Sequence, residues 1–184
     1  MRVLPILTII PVLSGCSLTL AGMGTQASTE PSSTHVGPSF EARIHVPRTY
    51  RWALGVEAGH FLQSVPVTAA DEWRLGFTGG YTIPPRADGR RVGFEVMGHA
   101  GLFRGSHGAY LEPLGAYGHV TLAAPIRLTP TREPFELDDL IDFTVAVVPI
   151  IGGGVAFPAS NRSAHVEATF GLAIRAYVWS TLLP

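Results

Sequence analysis

The sequence predicts an all-β fold, an antiparallel up-and-down barrel of about eight strands, and three observations predict it. From Phe40 onward apolar and polar residues alternate with a period of two, the pattern of strands with one apolar and one polar face. Several runs last roughly nine to fourteen residues, beyond the usual five or six and close to the roughly 9–11 that cross a bilayer as a tilted strand. Turn signals separate them: Val46-Pro47-Arg48, Pro84 to Gly89, Arg104 to Gly108 and Pro158 to Asn161. Only Pro134 to Ile141 is suited to a helical turn.

The elements follow in chain order. Met1 and Arg2 precede an uncharged apolar run, Val3 to Leu13, which ends in Leu13-Ser14-Gly15-Cys16. A positive start, a short apolar core and small residues describe a secretory signal peptide. The run is about half the roughly 20 residues a spanning helix needs, which disfavours a membrane anchor. A plain cleaved signal, with Ala21-Gly22-Met23-Gly24 as a loose site, is the other alternative. The four residues ending at Cys16 resemble the lipobox of bacterial lipoproteins, a resemblance confined to residues 1–16. It implies cleavage before Cys16, a diacylglyceryl group on its sulfur and an acyl chain on the new amino terminus. With Ser17 next, it also implies sorting to the outer membrane of a double-membrane cell. Residues 1–15 are thus expected to be signal. Residues 16–38, rich in Ser, Thr, Gly, Ala and Pro without periodicity, are expected to be the lipidated cysteine and a flexible tether.

Residues 39–184 are the expected barrel domain. Phe40, Ala42, Ile44 and Val46 alternate with Glu41, Arg43 and His45. Trp52, Leu54, Val56 and Ala58 alternate with Ala53, Gly55, Glu57 and Gly59. Trp73, Leu75, Phe77, Tyr81 and Ile83 alternate with Arg74, Gly76, Thr78 and Thr82. Val92, Phe94, Val96 and Leu102 alternate with Glu95, Met97 and His99. Val120, Leu122, Ala124 and Ile126 alternate with Tyr117, His119, Thr121 and Arg127. Val166 to Val178 alternate with His165, Glu167, Thr169 and Arg175. These are six strands. The segment Asp142 to Phe157 is apolar on both faces and is expected to supply two more, broken at Pro149 or at Gly152 to Gly154.

Alternation alone does not say which face is outside. A soluble lipocalin-like barrel or β-sandwich buries its apolar face, whereas a transmembrane barrel turns it to lipid and keeps a polar interior. Three features favour the second. The runs are long. The polar face is built from small residues and balanced ions, and charged residues are only 15% of the chain, against about 25% in ordinary soluble domains. Tyr50, Trp52, Trp73, Tyr81, Tyr117, Tyr177 and Trp179 stand near run ends, as girdles at two membrane interfaces would. In pattern and size, residues 39–179 resemble the small outer-membrane β-barrels, which implies an interior polar network of Glu41, Arg43, Glu57, Arg74, Glu95, His99, His119, His165, Glu167 and Arg175. The chain lacks the terminal Phe or Trp common in that group, ending instead Trp179 to Pro184.

Motifs for chemistry are sparse. A net charge of −1 argues against nucleic acid as a partner, and the single cysteine excludes an intrachain disulfide. Gly101 to Gly108 is glycine-rich but opens no helix, so it reads as a loop rather than a nucleotide site. His99, His119 and His165 share the polar face and are read as hydrogen-bonded interior residues, with no metal assigned. Ser163, His165 and Glu167 also share a face, but same-face neighbours lie roughly 6.5–7 Å apart, too far for a nucleophile–base hydrogen bond. The expectation is therefore an exported, lipid-anchored outer-membrane barrel with a structural, adhesive or surface role and no catalytic residues. Its expected partner is the lipid bilayer, and its expected non-protein groups are the lipids on Cys16. The alternatives are a periplasm-facing lipoprotein domain binding a hydrophobic ligand and, behind it, a lipid-modifying hydrolase.

Overall fold

Where one face of every strand is apolar, the chain must either stack two sheets or close one. The computed structural model closes one. It describes residues 18–29, 34–45, 51–65, 70–85, 90–107, 109–129, 141–159 and 163–180. The strands are β1 (Leu18–Thr29), β2 (Thr34–His45), β3 (Trp52–Val65), β4 (Ala70–Ile83), β5 (Phe94–His107), β6 (Tyr110–Leu111), β7 (Gly115–Ala123), β8 (Ile126–Arg127), β9 (Ile141–Phe157) and β10 (His165–Ser180). Eight are long. Each of these pairs antiparallel with the next, and β10 returns to pair with β1. The two-residue strands β6 and β8 add short pairings to β5 and β9. There is no helix among the described residues.

Two expectations need correction. Residues 18–29 and 34–38, read as tether, are strand β1 and the start of β2. Strand β1 lies between β2 and β10, with an irregularity of register between Ala21 and Gly24. Without it, β2 and β10 would each present an unpaired backbone edge; backbone pairing needs no alternating sequence, so the segment gave no signal of period two. Second, residues 142–157 belong to one strand of 17 residues, β9, and β1 is the eighth. Pro149 does not break β9, because β7 pairs with it up to Ile150 and β8 only from Val147. The missing N–H falls at that gap, where a proline is tolerated. The helical turn expected at Pro134 to Ile141 lies outside the described residues, apart from Ile141, which opens β9.

The alternation sorts the side chains inside out. Outward go Phe40, Leu54, Leu75, Phe77, Leu122, Ile151, Phe170 and Leu172, with Phe77 74% and Leu75 67% exposed. Inward go Arg43, Glu95, Glu167 and Arg175, each at most 2% exposed. Part of the interior is apolar: Ala123, Ala146, Val148, Ala173 and Tyr177 pack together, as do Phe103, Tyr117 and Ala156. Large inward side chains are matched by glycines. A Cβ on Gly76 would stand 2.4 Å from the Tyr117 hydroxyl, and one on Gly101 2.8 Å from it. An eight-stranded barrel is just wide enough for side chains to fill, so each bulky interior residue requires a small neighbour.

Candidate functional site

The polar interior is the chemically dense part of the molecule, and it is organised in three groups. Near the end holding the start of β1 and the end of β10, Arg43 and Arg175 share Glu41 and Glu95. Arg43 donates to Glu95 Oε2 at 2.7 Å and through Nη2 to Glu41 Oε2 at 2.6 Å. Arg175 donates to Glu95 through Nη1 and to Glu41 through Nη2 at 3.1 Å. Tyr177 donates its hydroxyl proton to the other oxygen of Glu95 at 3.0 Å. Two guanidinium groups face two carboxylates, so this group is balanced.

Toward the other end, Arg74 donates to both oxygens of Glu167, at 2.9 and 2.8 Å, and to Glu72 at 2.5 Å. Its guanidinium lies 5.2 Å from the ring centroid of Tyr117 and 5.5 Å from that of Phe61, within cation–π range. His165 Nε2 is 3.5 Å from Glu167.

The third group joins β3, β5 and β7. Glu57 accepts from the Tyr117 hydroxyl at 2.6 Å, and its other oxygen is 2.6 Å from His99 Nδ1. His99 Nε2 is 2.8 Å from Thr121 Oγ1. The His119 ring stacks on His99, centroids 4.3 Å apart and planes 13° apart, with Tyr117 on its other contact at 5.5 Å. His119 is 7% exposed, and neither of its ring nitrogens has a hydrogen-bond partner among the described residues. A small cavity beside it is also lined by Glu57, Phe61, Arg74 and Tyr117.

All ten residues expected in the interior network face inward, but they form these separate groups rather than one. His99 and His119 come together, while His165 goes to Glu167. Four interior partners were missed. Glu72 shares the parity of Arg74 and lay one position before the run as read. Thr121 was placed on the polar face without a role. Tyr117, expected both on the polar face and near a girdle, and Tyr177, expected in a girdle, are buried and bonded to Glu57 and Glu95; the parity of Tyr177 with Arg175 carries the same signal. Trp52, Trp73 and Tyr81 do project outward. Trp52 meets Tyr81 edge-on at 5.6 Å, and Trp73 stacks on His60 at 4.0 Å. Cys16, Tyr50 and the side chain of Trp179 lie outside the described set. Ser163 is exposed on the approach to β10, while both oxygens of Glu167 are engaged by Arg74.

No protein-family profile matches the chain, and no curated protein matches it. Solved structures do. The chain is similar to neisserial surface protein A, at 12% identity and a TM-score of 0.57, over 88% of this chain and 96% of that one. It also matches Ail, the attachment invasion locus protein of Yersinia pestis, at 11% identity and a TM-score of 0.48, over 89% and 99% of the two chains. What the chain shares with the neisserial protein is the fold, an antiparallel all-β barrel.

Proposed function

We propose that the protein is an integral β-barrel of the bacterial outer membrane with a structural or surface-adhesive role, secured in addition by lipid on Cys16. One observation carries this reading. Large apolar side chains stand on the outside at half to three-quarters exposure while arginine–glutamate clusters fill the inside, the reverse of a water-soluble barrel and the arrangement of a membrane one. The height of the belt supports it. Trp73 and Tyr81 project outward from β4 eight residues apart, about 27 Å along the strand and about 20 Å of membrane height at a tilt of 35–45°, against about 25 Å for barrel belts. Beyond Trp73 the outer face turns polar, where Ser106 donates to Asp71 and His60 Nε2 lies 3.3 Å from it. The interior is filled by its own side chains, which favours a structural or surface role over transport. It is lined by charges rather than by an apolar cavity, which disfavours a hydrophobic ligand.

The test removes the lipid and keeps every strand. Residues 16–184 with Cys16→Ser, exported behind a plain cleavable signal, are expected to stay in the outer membrane through a carbonate wash and to leave only with detergent. A folded, soluble periplasmic protein would contradict the proposal. A chain starting at Ser39 is not an adequate version of this test, because it removes β1 and part of β2.

A further inference from the structure

We propose that Glu57, His99 and His119 form a site for a divalent transition-metal ion, zinc by preference, inside the barrel. One ring nitrogen of each histidine and one carboxylate oxygen of Glu57 lie within 4.8 Å of one another. A tetrahedral zinc with bonds of about 2.0–2.2 Å needs its ligand atoms about 3.4 Å apart, so the widest pair must close by at most about 1.4 Å. Two imidazoles and a carboxylate are a donor set that zinc accepts, with a fourth position left for water.

Three independent features point to a cation here. The first is His119. It is buried, both its ring nitrogens are unpartnered among the described residues, and it borders the cavity that Glu57 also lines. A buried polar group without a partner calls for an explanation, and turning this ring off its stack on His99 toward the cavity supplies one.

The second is charge. The Arg43–Arg175 group is balanced at two against two. Beside the cavity one guanidinium, that of Arg74, serves two other carboxylates, while Glu57 bonds to Tyr117 and His99 and to no guanidinium among the described residues, an excess of carboxylate that a divalent cation would offset. Arg74 is itself held by Glu72 and Glu167, which turns its donors away from Glu57.

The third is the arrangement behind the ligands. Tyr117 donates to the oxygen of Glu57 that does not face His99, and Thr121 lies against the far nitrogen of His99. Such outer hydrogen bonds orient ligating carboxylates and imidazoles and fix the imidazole tautomer. A metal on His99 Nδ1 would replace the hydrogen bond between that nitrogen and Glu57, whose atoms are 2.6 Å apart, and the neutral imidazole would then carry its one proton on Nε2, facing Thr121 Oγ1. The bound ion ties β3, β5 and β7 together.

The test uses the full-length mature chain with Cys16→Ser, which removes the only thiol, folded in detergent micelles and stripped of metal by a chelator. Titration calorimetry with zinc chloride is expected to give one equivalent at micromolar affinity or tighter. Cobalt as a probe should give visible absorption of low-coordinate intensity, and zinc should raise the unfolding temperature. Circular dichroism and heat-dependent gel migration would show which variants fold. His119→Gln and Glu57→Gln should abolish the stoichiometric uptake, and Thr121→Val, which keeps all three ligands, should weaken it about 10–100-fold. His60→Gln, on the outer face, should leave it unchanged. No uptake by the unsubstituted chain at micromolar zinc, or equal uptake by folded His119→Gln, would overturn the proposal; the second result would assign binding to surface histidines. Neither result bears on whether the barrel spans a membrane.

Discussion

Glu95 is the residue on which the interior depends most. It is fully buried and receives Arg43, Arg175 and Tyr177. Buried ion pairs add little net stability over apolar packing, but removing one partner strands the other's charge, which costs about 3–5 kcal/mol. Glu95→Gln is therefore expected to destabilise the folded barrel by about 3–5 kcal/mol, measured by denaturant unfolding in micelles. Tyr177→Phe removes one hydrogen bond to a charged acceptor and should cost less, about 1.5–3 kcal/mol. Equal stability of Glu95→Gln and the unsubstituted chain would show that solvent reaches this group and that the interior is not closed there. The spacing of such residues was legible in the sequence, since Glu41 and Arg43, Glu95 and His99, and Glu167 and Arg175 share parity along their strands. Their partners were not. Arg74 meets Glu167 and Arg175 meets Glu41 across 93 and 134 residues of chain, pairings set by barrel closure rather than by any local pattern.

At the scale of elements, β4 shows both faces at work. Phe77 lies midway between Trp73 and Tyr81 on the outer face, and Gly76 lies between Arg74 and Thr78 on the inner one. Phe77→Arg places a charge near the centre of the proposed lipid belt and should destabilise the barrel by about 2–4 kcal/mol, whereas Trp73→Arg, at the proposed girdle, should cost about 0–1 kcal/mol. The comparison is made by unfolding in bilayers, and equal costs would mean that the face has no depth. Gly76→Val would force the Tyr117 hydroxyl off Glu57, and overpacking of this kind costs about 1–3 kcal/mol. The strands that the sequence revealed are those with alternating side chains. Strand β9, apolar on both faces, was legible as β structure but not as one strand, because a proline and three glycines read locally as breaks. Proline falls where β9 has no partner strand on one side, and two of the glycines, Gly152 and Gly154, make room for Thr121 and His119. Strand β1 carried no pattern and is held in place by the edges of β2 and β10.

For the whole molecule, closure and inversion are the same fact. Among the described residues each of the eight long antiparallel strands has a neighbour on both sides of the ring, the closure that a membrane core demands, and the ring is narrow enough that its ions must compensate one another inside. A membrane barrel requires this outer face to meet lipid. Because Cys16 is the only cysteine, a Cys16→Ser chain accepts single nitroxide labels one position at a time along β4, from Asp71 to Ile83. Collision rates with oxygen, which concentrates in lipid, and with a water-soluble nickel chelate would then be measured in bilayers. Oxygen accessibility is expected to vary with a period of two, high at Trp73, Leu75, Phe77, Gly79 and Tyr81 and greatest near Phe77, with low nickel accessibility at those same positions. High nickel accessibility at Leu75 and Phe77 would place that face in water and rule out a membrane-spanning barrel.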